Sequence, residues 1–552
     1  MATRGRLTAA ATALIAACGL AFAGHATTES ATAASPASTV AAAADPRPNI
    51  VLVVMDDFSM DLLPTMRHAL EMRRKGAYYR NSYVVDAQCC PSRASLLTGQ
   101  YPHQTRVRTN VTYSSPEAEQ LGGFAAFEAN GNLARSVNVR LQESGYVTGF
   151  VGKYLNGYAG RTVPPGWSSW RAILAGGYRG WDFNSTKVVD GASQLVNHPA
   201  PPASASKDRK DRAYVGQVAG RMATQFISKQ RAGAAPYFLV AAPYGVHSRI
   251  GSKAYPRDPL FPPAFRDRRN NCGARDCADL SARDLPGFGD SQADNAPRYP
   301  NGDRARQWRP RGEKPSAAAL TRDLRNRAKM AQSIDRFLGR ILEIVDRNTY
   351  VVLTSDNGFH LGQHGLGRGK GAPFTSDVRV PLLVVGPGVK PGSRKEVVSN
   401  IDLAPTFEDL AGLPRASYRS GHSIAPTFSR PRLDRHKVAF IEHMNVPPAA
   451  DNTTDPDTPY DSAKGRIPSY VAVRARGSLL IRFDLDLSAD GVDHAWEYYD
   501  YSRSLWERTN RYGSAAHEGR VAQLTERLER FEACSEFVRD ADVPAECRDI
   551  TQ

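Results

Sequence analysis

The sequence lacks a hydrophobic run that would make a convincing membrane anchor, and it contains no internal repeat. The apolar stretch 7–23 is too short and too rich in alanine, so we expect no transmembrane segment. Histidine is scarce, with 12 among 552 residues, and none lies at ligand spacing from a cysteine pair, which argues against zinc. Hydrophobic residues make up 41% and charged residues 23%, as in globular proteins. The length allows one large domain and a smaller one, or several medium ones.

Positive charge exceeds negative charge along the chain. Lysine and arginine number 71 against 56 acidic residues, a formal net charge of +15. This balance favours anionic partners. A compositional bias of the genome is the stronger explanation, because arginine far outnumbers lysine and alanine is abundant.

The N-terminus has the pattern of an export signal. Arg4 and Arg6 precede the apolar run, which ends in Ala21-Phe22-Ala23, an A-x-A-like cleavage site. We predict a signal peptide at 1–23, a disordered lead at 24–46 and a secreted protein. Alternatively, the lipobox-like segment ending at Cys18 would anchor the protein through a lipid on that cysteine.

The seven cysteines fall into groups of different kinds. Cys18 belongs to the signal segment, and Cys89 and Cys90 are adjacent. The remaining four form two local pairs that, in an exported protein, predict short-loop disulfides: Cys272 with Cys277, and Cys534 with Cys547.

Three continuous apolar runs predict buried parallel strands, at 49–55, 237–242 and 349–354. A helical repeat over 330–345 precedes the third run, as in a parallel α/β crossover. After about residue 414 the runs become short and typical of an antiparallel sheet, and 523–531 predicts a helix. We therefore predict a catalytic domain at 47–414, with an irregular insertion at about 248–320, and a C-terminal subdomain at 415–552.

Polar residues follow these strands at the edge where open α/β sheets place their sites. Asp56 and Asp57 follow the first run, His247 comes after the second, and Asp356 and Asn357 follow the third. Each acid alone is more simply a loop cap. Together they form a set of hard oxygen ligands, which suits Ca²⁺ or Mg²⁺ better than zinc.

The stretch from Gln88 to Gly99 carries the most specific pattern. A thiol pair such as Cys89-Cys90 is usually a buried filler, a disulfide partner or a metal ligand. Here it continues as Pro91-Ser92-Arg93, which resembles the sulfatase signature. Arg93 lies about one helical turn after Cys89. A helix N-terminus near Pro91 would add positive partial charge for an anion.

Further motifs agree with the family in order: Val53 to Asp57, Gly152 to Asn156, His247, and Ser355 to Gly358. The chain resembles type I sulfatases of the alkaline phosphatase superfamily. The resemblance implies a large mixed, mostly parallel sheet between helices, with a smaller C-terminal α+β subdomain carrying an antiparallel sheet. It also implies that a formylglycine-generating enzyme converts Cys89 to formylglycine.

The resemblance also implies roles for site residues. Calcium is expected on Asp56, Asp57, Asp356, Asn357 and the modified Cys89. The sulfate is expected among Arg93, Lys153, His247 and Lys370, and His247 or Lys370 would protonate the leaving oxygen or hold it. A hydrated aldehyde offers one hydroxyl to attack sulfur and a second whose deprotonation expels sulfate. Serine or unmodified cysteine would remain sulfated.

One position departs from the common pattern. Leu155 stands two residues after Lys153, where many sulfatases carry histidine. This version and Gln100-Tyr101-Pro102-His103 resemble the N-acetylglucosamine-6-sulfatase branch. The general base therefore stays open between Asn156, His364 and the other site groups, with His364 equally explained as a turn residue and His360 as structural.

The resulting prediction is an exported, calcium-dependent sulfatase acting on a sulfated sugar. The alternatives are an arylsulfatase or a phosphonate or phosphate ester hydrolase of the same superfamily, and, less favoured, a non-catalytic protein that binds sulfated glycans. No nucleic acid partner is expected. Substrate specificity is expected in three irregular loops, at 104–135, 157–210 and 248–320.

Overall fold

A computed structural model describes residues 45–111, 120–291, 293–309, 315–445, 467–486, 493–502, 506–536 and 542–552. The predicted signal peptide, the lead before residue 45 and Cys18 lie outside these ranges. No helix in the described part is long and apolar enough to cross a membrane.

The strands of the described residues are β1 (Asn49–Met55), β2 (Ala77–Tyr83), β3 (Val147–Lys153), β4 (Ser169–Ile173), β5 (Phe183–Val189), β6 (Ala192–His198), β7 (Tyr237–Ala242), β8 (Thr349–Ser355), β9 (His360–Leu361), β10 (Arg368–Gly369), β11 (Leu383–Val385), β12 (Gly392–Ser399), β13 (Val438–His443), β14 (Ser469–Ala475), β15 (Ser478–Asp484) and β16 (His494–Asp500).

The α-helices are α1 (Arg67–Lys75), α2 (Cys89–Thr98), α3 (Pro102–Thr105), α4 (Gly123–Ala129), α5 (Asn132–Arg135), α6 (Val137–Glu143), α7 (Lys207–Ala213), α8 (Val215–Gln230), α9 (Ala317–Ile344), α10 (Thr375–Val378), α11 (Leu403–Leu410), α12 (Pro426–Ser429), α13 (Glu518–Ala533) and α14 (Ala545–Arg548).

Ten strands form one mixed sheet in the order β12-β2-β11-β8-β1-β7-β3-β4-β5-β6. Its centre is parallel: β1 pairs with β8 on one side and with β7 on the other, and β3 follows beyond β7. Strand β11 runs antiparallel between β2 and β8, and the hairpin of β5 and β6 closes the far edge antiparallel. The predicted mixed, mostly parallel sheet is confirmed.

Strand β1 explains why the central runs are continuously apolar. Val51, Val53 and Met55 face a core that includes residues of α8 and α9. Ile50, Leu52 and Val54 face the opposite core, with residues of α2, α6 and α11. In a half-exposed strand, every second residue is polar. Because both faces of β1 are covered, its residues are apolar at successive positions instead.

The C-terminal part carries a separate antiparallel sheet in the order β13-β14-β15-β16. Helix α13 packs on it through Leu524, Leu528 and Phe531. This helix is longer than the predicted 523–531, and α9 begins well before the predicted 330. The predicted C-terminal antiparallel sheet is confirmed, whereas the domain boundary at 414 stays a prediction.

Two loop predictions need correction. The segment 157–210 contains strands β4, β5 and β6, which extend the main sheet, and 104–135 contains the short helices α4 and α5. The insertion at about 248–320 is irregular in its described part, apart from two short 3₁₀ turns and the first turn of α9. Both predicted disulfides are present, Cys272–Cys277 and Cys534–Cys547.

A buried ion pair ties the insertion to the C-terminal sheet. Arg309 lies at the end of the described insertion, and both of its terminal nitrogens donate to Glu497 on β16, at 3.0 and 2.8 Å. Both side chains are 0% exposed. Arg309 Nη2 also donates to the Tyr499 hydroxyl at 3.1 Å. The pair is fully desolvated, so loss of one partner leaves an uncompensated charge.

We expect Arg309→Met to lower the free energy of unfolding by about 3–5 kcal/mol, because Glu497 would stay buried without its cation. Chemical denaturation of the purified protein measures this. The double variant Arg309→Met/Glu497→Gln should recover much of the loss, and the exposed Arg430→Met should change stability by less than about 0.5 kcal/mol. A single variant as stable as Arg430→Met would contradict the assignment.

Candidate active site

The candidate site lies at the carboxyl edge of the central strands. Strand β1 leads into Asp56 and Asp57, β8 leads into Asp356 and Asn357, and β3 ends at Lys153. These strands are neighbours or nearly so in the sheet, which brings their ends together. Asp57 has a φ of 55°, a left-handed conformation that turns the chain sharply as it leaves β1.

Cys89 is the first residue of α2 and is 0% exposed. Its sulfur lies 3.4 Å from Asp56 Oδ1 and 3.8 Å from Asp57 Oδ1. Lys370 Nζ lies 2.7 Å from the same sulfur and 2.7 Å from Asp57 Oδ1. The structure therefore places residue 89 between two carboxylates and an ammonium group.

Two further cations neutralise the remaining carboxylate charge. Lys153 Nζ donates to both oxygens of Asp56, at 2.9 and 3.0 Å. Arg93 Nε donates to Asp356 Oδ2 at 2.7 Å, and its Nη1 donates to the Lys153 carbonyl, also at 2.7 Å. One guanidinium thus joins the ends of β8 and β3. Although Arg93 follows Cys89 by about one helical turn, its guanidinium is directed to Asp356 and to the end of β3.

The start of α2 is held against β8 by a short chain of hydrogen bonds. Ser92 Oγ donates to the Asp356 carbonyl at 2.5 Å, and Asn400 Nδ2 donates to Ser92 Oγ at 2.9 Å. Cys90 behaves differently from Cys89, since it is buried in the apolar core on the α2 side of the sheet. Of the three usual places of a thiol in such a pair, Cys90 thus has that of a small buried filler.

Burial and neighbouring charge shift the pKa values of the acidic groups in different directions. Burial raises the pKa of Asp56 to about 6, even though Lys153 opposes the shift. Burial acts the same way on Asp57, but the charges of His247, Lys370 and Lys153 outweigh it, and its pKa lies below the usual range. Burial holds the pKa of the Cys89 thiol well above its usual value.

The donor set fits a hard cation. One ligand atom from each of Asp56, Asp57, Cys89 and His247 lies within 4.8 Å of all the others. Asp57 Oδ2 and Asn357 Oδ1 are buried oxygens that accept no hydrogen bond from any residue that the structure describes. Buried oxygen acceptors without donors are costly, and a divalent cation satisfies them. The predicted ligands Asp56, Asp57, Cys89, Asp356 and Asn357 thus lie together, and their role as ligands remains a prediction.

His247 also lies at this site, with its Nε2 3.5 Å from Asp57 Oδ2. Its Nδ1 and the Ser248 carbonyl lie 2.7 Å apart, so the carbonyl accepts from Nδ1–H and Nε2 is left facing the carboxylates. Lys153, His247, Lys370 and Arg93, predicted to surround the sulfate, are therefore gathered around the same carboxylates.

The two other histidines considered from the sequence contact different partners. His364 Nε2 lies 3.3 Å from Glu507 Oε2, and its ring packs on Phe374. His360 Nδ1 lies 2.9 Å from Asp377 Oδ2, as expected of a structural residue. Leu155 is buried in the core on the α2 side. These contacts favour the turn interpretation of His364 over a role as general base.

Sequence reasoning missed two residues of the site. The Tyr178 ring lies 4.5 Å from the His247 ring, and its centroid is 4.9 Å from Lys153 Nζ, a cation–π distance. Arg327 is fully buried on α9 and donates to the Asp57 carbonyl. Arg327 could have been noticed in the sequence, because it is a charged residue on the apolar face of α9, between Leu324 and Ala331. Tyr178 lies in a short 3₁₀ helix, Ala175–Arg179, and no sequence pattern pointed to it.

Comparisons with known proteins identify the family of this chain. The family model described as Sulfatase matches residues 48–413. The chain belongs to the sulfatase family. The "Extracellular sulfatase SULF-1 homolog" of Drosophila melanogaster is 32% identical over 400 residues, which cover 69% of this chain and 31% of the relative. The chain thus corresponds to about a third of that sulfatase.

A second relative is covered more completely. The N-acetylglucosamine-6-sulfatase of Homo sapiens is 28% identical over 439 residues, 76% of this chain and 70% of the relative. Among solved structures, one sulfatase-fold protein was captured in complex with its substrate D-glucosamine-2-N,6-O-disulfate. It superposes with a TM-score of 0.63 at 19% identity, covering 90% of this chain and 100% of its own. At that identity the superposition shows a shared fold.

We expect Tyr178→Leu to lower kcat/KM for a sulfate ester by about tenfold, because Lys153 and His247 lose the aromatic face that positions them. Tyr178→Phe keeps the face and should stay close to the parent protein. The matched control is Tyr418→Leu, which lies outside the site. If the leucine and phenylalanine variants lose activity equally, the ring face is not what positions these residues.

Proposed function

We propose that this chain hydrolyses the sulfate ester of a sulfated sugar, with Cys89 converted to formylglycine and calcium as the metal. One observation carries the proposal. The side chain of residue 89 is enclosed by the carboxylates of Asp56 and Asp57 and by the ammonium group of Lys370. Anionic groups for a divalent cation and cationic groups for a sulfate thus meet at one buried atom.

The need to release sulfate from residue 89 after the attack explains why serine or unmodified cysteine would not serve as the nucleophile. A sulfated serine or cysteine has no easy route to release sulfate. As a hydrated aldehyde, residue 89 carries a hydroxyl that would attack sulfur while the S–O bond to the sugar breaks and the alkoxide leaves. Loss of a proton from the second hydroxyl would then return the aldehyde and expel sulfate, and water would restore the hydrate. A formylglycine-generating enzyme would be the partner that makes this residue during maturation.

Calcium fits the oxygen donors of Asp56, Asp57, Asp356 and Asn357 together with residue 89. When bound, it would neutralise the sulfate oxygens and make the sulfur more electrophilic. Lys153 and Lys370 now neutralise Asp56 and Asp57 directly. Both lysine side chains are long and flexible enough to turn their ammonium groups toward a bound sulfate instead.

The remaining groups handle orientation and protons. Arg93 fixes Asp356 and the end of β3, so its charge also stays beside the sulfate position. His247 Nε2 or Lys370 Nζ would give the leaving alkoxide its proton. Leu155 cannot replace the usual histidine as a base, because it is a buried apolar side chain. Lys370 Nζ lies 2.7 Å from the sulfur of residue 89, and a ring nitrogen of His247 lies within 4.8 Å of that sulfur.

Support for the substrate class comes from the relatives. A human relative is named for N-acetylglucosamine-6-sulfate, and a structural neighbour holds a disulfated glucosamine. We therefore propose a 6-sulfated amino sugar as the substrate class. Two disulfides and a relative named as extracellular support export. The predicted signal at 1–23 would direct that export.

The adjacent cysteines provide a matched test of the nucleophile. We expect Cys89→Ala to reduce kcat for a sulfate ester by about 10³-fold or more, because it removes the group that bonds to sulfur. Cys90→Ala should retain activity within about tenfold, since Cys90 fills the core. Full activity in Cys89→Ala would overturn the proposal. Faster turnover of the matched phosphate or phosphonate ester would support the alternative hydrolase.

Calcium can be tested without activity. Calcium added to metal-free protein should raise the melting temperature, by an amount equivalent to about 2.7 kcal/mol at 100 times Kd. Asp57→Asn should abolish most of that rise, because it removes a charged ligand. The exposed Asp208→Asn is the control and should behave like the parent protein. An equal rise in Asp57→Asn would contradict the predicted ligand set.

A further inference from the structure

A group of arginines lies on the surface formed by α8, α9 and the 3₁₀ turn at Phe265–Asp267. It consists of Arg221 on α8, Arg266 on the turn, and Arg336 and Arg340 on α9, and is called the arginine surface below. The catalytic site described above does not include any of these residues.

The arginines are close together because of how the helices pack. Glycine at position 220 lets Arg340 approach α8, since a Cβ there would lie 2.7 Å from Arg340 Nη2. Arg221 is the next residue on α8 and is exposed. Arg336 lies one turn before Arg340 on α9 and pairs with Asp267, which adjoins Arg266. Three chain segments thus bring their guanidinium groups to one face.

Acidic residues neutralise this surface only in part. Asp267 accepts from both terminal nitrogens of Arg336, at 2.8 and 2.6 Å, which uses both of its oxygens. Arg266 reaches Asp211 only at 3.9 Å. Arg340 Nη2 is buried and makes no hydrogen bond within the described residues. In that part of the chain, Arg221 and Arg340 make no ion pair.

The pKa values of two of these arginines agree with a surface that is neutralised only in part. Burial lowers the pKa of Arg340, and the charges of Arg336, Arg221 and Arg266 lower it further. Burial and the charge of Arg212 do the same to the pKa of Arg221. Like charges that repel in the free protein are relieved when an anion lies between them.

We propose that the arginine surface is a binding surface for a sulfated polysaccharide chain, separate from the catalytic site. Planar guanidinium groups bind sulfate oxygens with paired hydrogen bonds, and several on one face favour a polymer with repeated anions. The choice of a sulfated glycan rests on the proposed function.

Other polyanions fit the surface less well. Single-stranded nucleic acids stack on exposed aromatic rings, and no aromatic side chain in the described residues is exposed. A membrane surface is bound most firmly when apolar side chains insert beside the basic ones. The exposed large apolar side chains of the described part are Val188 and Leu195, on the β5–β6 hairpin.

The test compares two triple variants of the full-length protein on immobilised heparin, used as the sulfated polysaccharide. One replaces Arg221, Arg266 and Arg340 with serine. The control replaces Lys395, Arg430 and Arg432 with serine, which removes the same charge from exposed positions on other elements. We expect the first variant to bind about 100-fold more weakly and to elute at lower salt, with the control near the parent protein.

The result is separable from the catalytic proposal. The first variant should hydrolyse a small sulfate ester at the parent rate and melt no lower than the control, because its arginines repel one another. Equal weakening by both variants would show that net charge alone binds heparin and would overturn the proposal. Binding to duplex DNA or anionic vesicles that exceeds heparin binding and depends on the same arginines would also overturn it. A parent protein that binds heparin but hydrolyses no sulfate ester would refute only the catalytic proposal.

Discussion

The balance of charge in a buried space is the constraint on which this structure depends. Asp56, Asp57 and Asp356 lie within hydrogen-bonding distance of Lys153, Lys370 and Arg93, and all six side chains are nearly or fully inaccessible. Three like charges could not be buried together without these partners, because the desolvation cost would be prohibitive. The same cations can then serve a substrate anion.

The rest of the fold serves this arrangement. Central strands covered on both faces provide a rigid edge, and their ends deliver the acids and Lys153 from different strands. Helix α2 brings Cys89 to that edge, and Ser92 with Asn400 fixes its position. Cys90 faces the core instead. Of two adjacent cysteines, one therefore meets the charged groups and the other fills a gap.

The sequence predicted the parts of the site that follow buried strands. Strands β1, β7 and β8 are unbroken apolar runs, so their ends could be located. Strand β3 was hidden because it contains Gly149 and Gly152, which weaken a strand pattern. Gly149 is needed there, since a Cβ would lie 2.5 Å from the Phe226 ring. Tyr178 could not be found, because only the folded chain brings it to His247. The hairpin of β5 and β6 was missed because its strands lie at the sheet edge and lack a continuous apolar run.

The proposed function depends most directly on the chemical identity of residue 89. Mass spectrometry of the peptide that contains Cys89, taken from active protein made together with its maturation enzyme, measures it directly. We predict a peptide in which CHO replaces the CH₂–SH side chain of Cys89, while Cys90 remains a thiol. An unmodified Cys89 in fully active protein would contradict it.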